Sequence, residues 1–241
     1  MNDTNPFILF GTAHLVTLAS ILAIAVVLPV LARRRLTAAG QRRVGLFLGV
    51  SLVVQEAFLI WLRTSHYGLH WTEVLPLHLC GLAVFVTAWA LIAQSYRAYE
   101  VVYFWAWGGT LQALITPDLE LGFPEPAYLA FFVAHGLVVI GVVYLTFTYR
   151  YRPYLRSIFR SIAALLVAVA VIAPINVWLG TNYLFLRAKP EQASLMDYLG
   201  PWPWYILALV GIGLVSCFVY YLPFLIKDWL AGRRLAGSEN P

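Results

Sequence analysis

The 241 residues carry 16 Lys and Arg against 11 Asp and Glu, a formal net charge of +5, while 61% are hydrophobic and only 11% are charged, with a mean hydropathy of +0.78. A soluble domain averages about 45–50% apolar and about 25% charged residues, so this chain lacks the charge to build a water-facing surface. A soluble fold is excluded, and no nucleic-acid partner is implied, because the basic residues lie beside apolar segments where anionic lipid attracts them.

About 20 apolar residues cross a hydrocarbon core roughly 30 Å thick. The chain divides into such segments near 7–32, 44–63, 74–94, 101–117, 127–149, 160–180 and 203–226. The first opens with Asp3 rather than with positive charge, and its apolar run continues to about Ala32, so it reads as helix one and not as a cleavable signal peptide. The fourth is the shortest, with Gly108, Gly109 and a terminal Pro117. The longest connection, near 181–202, carries Tyr183, Tyr198 and Trp202 and is expected to lie on the membrane interface or to act as a lid. No linker, heptad array or repeat interrupts the pattern. The expected fold is an all-α integral membrane protein, one polytopic domain over 1–241 forming a bundle of about seven transmembrane helices.

Basic residues in short loops are retained on the cytoplasmic side. Arg33, Arg34, Arg35, Arg42, Arg43, Arg97, Arg150, Arg152, Arg156, Arg160, Lys227, Arg233 and Arg234 fall on one side of this pattern, and only Arg63, Arg187 and Lys189 fall on the other. Asp3, Glu73, Asp118, Glu120, Glu125, Glu191 and Asp197 show the reverse preference. The N-terminus is therefore expected outside and the C-terminus in the cytoplasm, which requires an odd number of spans.

Ionisable side chains in hydrocarbon cost about 2.5–3.5 kcal/mol each, so those that remain call for a reason. His14, Gln55, Glu56, His78, Cys80, Gln112, His135 and Asn176 fall, by count along their helices, at a common depth of about 8–12 Å below the outer surface. The inner half has no such layer, which argues for an outward-opening pocket rather than a pore. Cys80 and Cys217 are counted at about 10 Å and about 20 Å from the same surface, too far apart in depth for a disulfide. His78 and Cys80 are two residues apart and do not share a helix face, so a base for the thiol must come from another helix: His135 or His14. Glu56 or Gln112 is available to orient that histidine.

The strings LPLHLC at 75–80, AHG at 134–136 and TNYLFLRAKP at 181–190 together resemble the YwaF family of bacterial membrane proteins, which is grouped with animal transmembrane protein 164. That protein is an acyltransferase working through a cysteine acyl-enzyme on phosphatidylcholine and a lyso ether phospholipid, and it is similar in architecture to the androgen-induced gene family of membrane hydrolases. The resemblance implies that Cys80 accepts the acyl group and that His135 is the general base. The substrate does not carry over.

The leading expectation is a thiol-dependent acyltransferase or lipid hydrolase of a bacterial cytoplasmic membrane, needing no metal and no cofactor, with a phospholipid or lysophospholipid as partner. Asn182, Arg187 and Lys189 are placed to meet a headgroup, with interfacial snorkelling as the alternative. His14, Glu56, His78 and Gln112 serve as binding or orienting groups. Two other readings stay open: a seven-helix zinc hydrolase using His14, His78, His135 and Glu56, and a non-enzymatic lipid-binding protein, receptor or transporter subunit.

Overall fold

A segment surrounded by hydrocarbon must satisfy its backbone polar groups internally, so long apolar runs fold as helices. The computed structural model describes residues 5–190 and 195–238. It contains α1 (Thr12–Arg35), α2 (Ala38–Trp61), α3 (Leu79–Ile92), α4 (Tyr96–Trp105), α5 (Leu111–Ile115), α6 (Pro126–Phe147), α7 (Leu155–Leu179) and α8 (Trp204–Ser238). A π-helical turn, Leu62–His66, extends α2, and a second, Ala106–Thr110, joins α4 to α5, so the chain runs as seven helical rods. Among the described residues the only strand-like pairing is an isolated bridge between Pro6 and Leu121. Asp3 and Glu191, counted above with the acidic side, lie outside the described residues.

Among the described residues five helices are long and apolar enough to cross a membrane: Thr12–Arg35, Ala38–His66, Pro126–Phe147, Leu155–Leu179 and Trp204–Ala231. The core gathers around α6, which packs on α1, α2 and α3 and buries Val138, Val142, Tyr144 and Leu145. Helices α1, α7 and α8 turn most of their apolar side chains outward, as Val177 and Trp178 do. That outward apolar surface is what a helical membrane protein offers to lipid.

The ends are set by local chemistry. Thr37 caps α2 by accepting from the Gly40 N–H, Ser95 caps α4 through the Ala98 N–H, Pro126 occupies the first turn of α6, and Gly180 ends α7 in the left-handed region at φ 71°. Five rods start elsewhere than hydropathy suggests: the first at Thr12 rather than near 7, the second at Ala38 rather than near 44, and three more. The third begins at Leu79 rather than near 74, because Pro76 has no N–H and holds its predecessor out of helical geometry. The fourth begins at Tyr96 and the sixth at Leu155.

The early start of α4 places Glu100 inside the bundle, fully buried. It accepts from Ser157 Oγ at 2.6 Å and pairs with Arg160 of α7, with Arg156 at 3.9 Å. At the same end Tyr144 Oη donates to the Gln41 carbonyl at 2.7 Å, and Arg152 makes a two-pronged pair with Asp228 at 2.8 and 2.6 Å. These contacts clamp one end of the bundle. The other end is open.

Candidate functional site

At the open end, a cavity of about 450 Å³ lies between α2, α3, the α4–α5 rod and α6. Its polar lining includes Glu56, Arg63, Tyr67, His78, Cys80, Thr110, Asp118 and His135, set among Leu59, Val84, Phe131, Val138 and Phe185. Both π-helical turns border it: the first carries Leu62 and Arg63, the second Thr110. A π turn inserts one residue and re-aims the side chains around it, a device concentrated at functional sites.

Cys80 stands in the first turn of α3, not deep in a helix as its count from residue 74 implies. The first-turn N–H groups of an α-helix have no partner within it. Here Leu82 N–H donates to the His78 carbonyl at 3.0 Å, while the N–H groups of Leu79, Cys80 and Gly81 meet no acceptor among the described residues. The thiol therefore sits at the positive end of a helix, where negative charge is favoured. Gly81 makes that geometry possible, since a Cβ there would fall 2.7 Å from the Pro76 carbonyl oxygen. Beside the thiol, near enough to interact with it, lies the buried Thr110 Oγ1, which has no other hydrogen-bond partner among the described residues.

His135 projects from α6. Its Nδ1 is 2.8 Å from the Phe131 carbonyl, and its ring stacks on Phe131 at 4.1 Å. A carbonyl only accepts, so Nδ1 carries the proton and the neutral ring keeps its lone pair on Nε2. Gly136, next in sequence, lets α1 approach: an added Cβ would lie 3.0 Å from Ile21. Glu56 is 6% exposed, and its carboxylate has no hydrogen bond or ion pair among the described residues although it lines the cavity. Arg63 lies two turns along the same rod and lines the same cavity.

The connection after α7 supplies one wall. Buried Asn176 donates to the Tyr183 carbonyl at 2.9 Å and accepts from the Tyr183 N–H and the Thr181 hydroxyl. Tyr183 Oη in turn donates to the Thr72 carbonyl and accepts from the Leu75 N–H at 3.0 Å. Leu184 and Phe185 are held at φ 58° and 53°, a left-handed conformation that costs about 1–2 kcal/mol per residue and persists where surrounding bonds impose it. The result is Phe185 against the His78 ring at 5.2 Å.

Of the residues singled out from sequence, Glu56, His78, Cys80 and His135 line this one cavity, and His14 and Gln112 do not. His14 accepts from the Phe10 N–H at 3.0 Å and reaches the Leu114 carbonyl at 2.9 Å, so both ring nitrogens are engaged, one fastening the segment before α1 and the other tying α1 to α5. Gln112 is exposed and contacts only its own helical turn. Asn182, Arg187 and Lys189 are outside the cavity as well. Asn182 caps the Arg187 and Ala188 N–H groups, Arg187 donates to the Asn176 and Thr181 carbonyls, and Lys189 lies over the Tyr205 ring. Among the described residues no three His, Cys, Asp or Glu side chains gather as a metal site requires, so the proposed zinc ligands are not assembled. Both cysteines are free.

Arg63, Thr110, Asp118 and Phe185 are the lining residues that sequence reasoning passed over. Arg63 had a signal: it is the one basic residue on its side of the charge pattern outside the 181–202 connection.

The sequence model of the TMEM164 family matches residues 9–221. The chain belongs to that family. It is also similar to an uncharacterized protein of Treponema pallidum (strain Nichols), with 28% identity over 225 residues covering 92% of each chain. No solved structure matches it. The TMEM164-family match runs from α1 to about the middle of α8 and so takes in every residue of the cavity.

Proposed function

We propose that this TMEM164-family chain is a lipid acyltransferase or lipid hydrolase of a bacterial cytoplasmic membrane, working through an acyl thioester on Cys80. All seven rods span, with the N-terminus outside, so the cavity opens toward the outer leaflet. The observation that carries the reading is the pairing, in one largely apolar chamber, of a thiol at a helix N-terminus with an imidazole whose Nδ1 is already committed to a carbonyl.

The steps follow from those groups. His135 Nε2 takes the Cys80 proton, and the sulfur attacks the carbonyl carbon of an acyl ester. Negative charge develops on the former carbonyl oxygen, within reach of the unpaired Cys80 and Gly81 N–H groups and of Thr110 Oγ1, which act as oxyanion donors. The C–O bond breaks, His135 returns the proton to the departing alcohol, and the acyl group remains on sulfur. A lysolipid hydroxyl or water then attacks the thioester, delivering its proton through His135 and freeing the thiol. No hydrogen bond joins Cys80 to His135 in this structure; catalytic pairs of this kind often close only when substrate is bound. Glu56 orients the acceptor hydroxyl, and Arg63 meets the phosphate in the role that Arg187 and Lys189 cannot fill while they bind the connection's own carbonyls and ring.

The test is direct. Purified protein incubated with a clickable phospholipid acquires a hydroxylamine-sensitive adduct that Cys80→Ala abolishes and Cys217→Ala leaves intact. An adduct that survives Cys80→Ala, or its absence from the wild type across a broad lipid panel, favours a non-enzymatic lipid-binding protein.

A further inference from the structure

At the clamped end of the bundle, opposite the cavity, α1 and α6 part from their close contact at Ile21 and Gly136 and leave a groove of about 460 Å³. Its floor is the small, buried pair Ala25 and Pro29. Val26, Val30 and Phe147 rim it with exposed apolar surface, and Arg33 and Arg34 close one end.

Neither arginine has an acidic partner or a hydrogen bond among the described residues, and no Asp or Glu occurs in the sequence between Asp3 and Glu56. Two unpaired guanidiniums therefore stand at the mouth of a slot lined by hydrocarbon. The volume is within the range of ligand pockets. An acyl chain matches the slot, and a phosphate with net negative charge matches the arginines, whose planar forks bind such oxygens two at a time. Basic pockets between transmembrane helices bind anionic headgroups for this reason. A second copy of this chain is the poorer fit, since its matching end carries the same excess of arginine.

We propose that this groove is a binding site for one anionic phospholipid of the adjacent leaflet, its acyl chain along Val26, Val30 and Phe147 and its phosphate on Arg33 and Arg34. The site is separate from Cys80 and does not depend on the reaction proposed there.

Native mass spectrometry of the purified full chain, given phosphatidylglycerol and phosphatidylcholine of equal chain length at equal concentration, tests it. One phosphatidylglycerol is retained in preference. Arg33→Gln with Arg34→Gln lowers that retention by about tenfold or more, the combined effect of two arginines near a lipid surface. Val26→Trp, which fills the slot and leaves both arginines, lowers it as well. Arg42→Gln with Arg43→Gln, an equal loss of charge outside the groove, leaves it unchanged, and so does Cys80→Ala. Equal retention of the two lipids, indifference to the Arg33 and Arg34 changes, an equal fall in the Arg42 and Arg43 variant, or a chain dimer lost with Arg33 and Arg34 in place of a lipid adduct would overturn the proposal.

Discussion

Gly81→Ala isolates the helix start from the thiol itself. The new methyl would lie 2.7 Å from the Pro76 carbonyl oxygen, 2.8 Å from its carbonyl carbon and 2.9 Å from its Cα. All three are backbone atoms and none can rotate away, so the first turn of α3 must withdraw by about 0.7 Å to restore ordinary contact. A displacement near 1 Å in a reacting group costs on the order of 10²-fold in rate, so acylation of Cys80 should slow by about 10–10²-fold although the thiol remains. Overpacking should also lower stability by about 1–3 kcal/mol. The assay is the first-order rate of adduct formation, with the thermal unfolding midpoint measured on the same preparation. Gly211→Ala is the reference, since its methyl meets nothing within 4 Å; its rate should match the wild type. Acylation of the Gly81→Ala protein at the wild-type rate, or a fall explained wholly by the unfolded fraction, would refute the role given to the α3 N-terminus.

The two histidines should part company. His135→Ala slows acylation by about 10²–10⁴-fold, the usual range for a lost general base, while His14→Ala leaves the rate of the folded protein unchanged and costs about 1–3 kcal/mol in stability by stranding the Phe10 N–H and the Leu114 carbonyl. Thermal unfolding in detergent should rank Arg160→Met as more damaging than Glu100→Gln. The first leaves a carboxylate of zero exposure with the Ser157 hydroxyl and, as its remaining cation, Arg156 at 3.9 Å, a loss of about 3 kcal/mol, whereas the second removes the buried charge itself and frees the half-exposed Arg160 to solvent. For orientation, Glu120→Cys in a background lacking Cys80 and Cys217 should react with an impermeant maleimide in intact cells, and Tyr154→Cys should not; the reverse pattern would turn the bundle over.

Much of the helical order was legible because hydropathy reports burial in lipid directly. Helix starts were less so. The apolar run Val74–Leu75 looks like helix to a hydropathy count, yet Pro76 denies it an N–H and His78 becomes the N-cap, so Cys80 was placed a full turn or more too deep. The same smoothing left Glu100 outside the fourth rod, although Ser95 is a recognisable cap. Depth along a helix also carries no azimuth. Counted from the ends that hydropathy suggests, His14 and His135 have similar depths, but one ring is spent tying α1 to α5 and the other faces the chamber. The π turns at Leu62–His66 and Ala106–Thr110 have no sequence signature, and Arg63 and Thr110 could not be aimed without them.

The distribution of irregular backbone argues that the chamber was selected as a chamber. Alpha geometry is lost at the two π turns, along the stretch from Trp71 to His78 before α3, and at the left-handed pair Leu184 and Phe185. Each departure forfeits regular hydrogen bonding or strains a residue, and in a bundle of apolar rods such backbone is tolerated where protein covers it or where it lines a cavity. All four border the same 450 Å³ space. At the opposite ends of the same helices, Arg35 to Ala38 and Ile92 to Tyr96 turn tightly with capped starts, and the departures there are single left-handed residues, Gln94 at φ 51° and Arg150 at φ 59°, with no π turn. Packing alone would favour regular helices at both ends. Tyr183 shows what the irregularity needs, because its hydroxyl satisfies the Thr72 carbonyl and the Leu75 N–H that no helix serves. Three elements distant in sequence are thus bent or braced to present Glu56, Cys80 and His135 to one volume, and that convergence is the structural reason to look for chemistry there rather than at any other polar residue of the bundle.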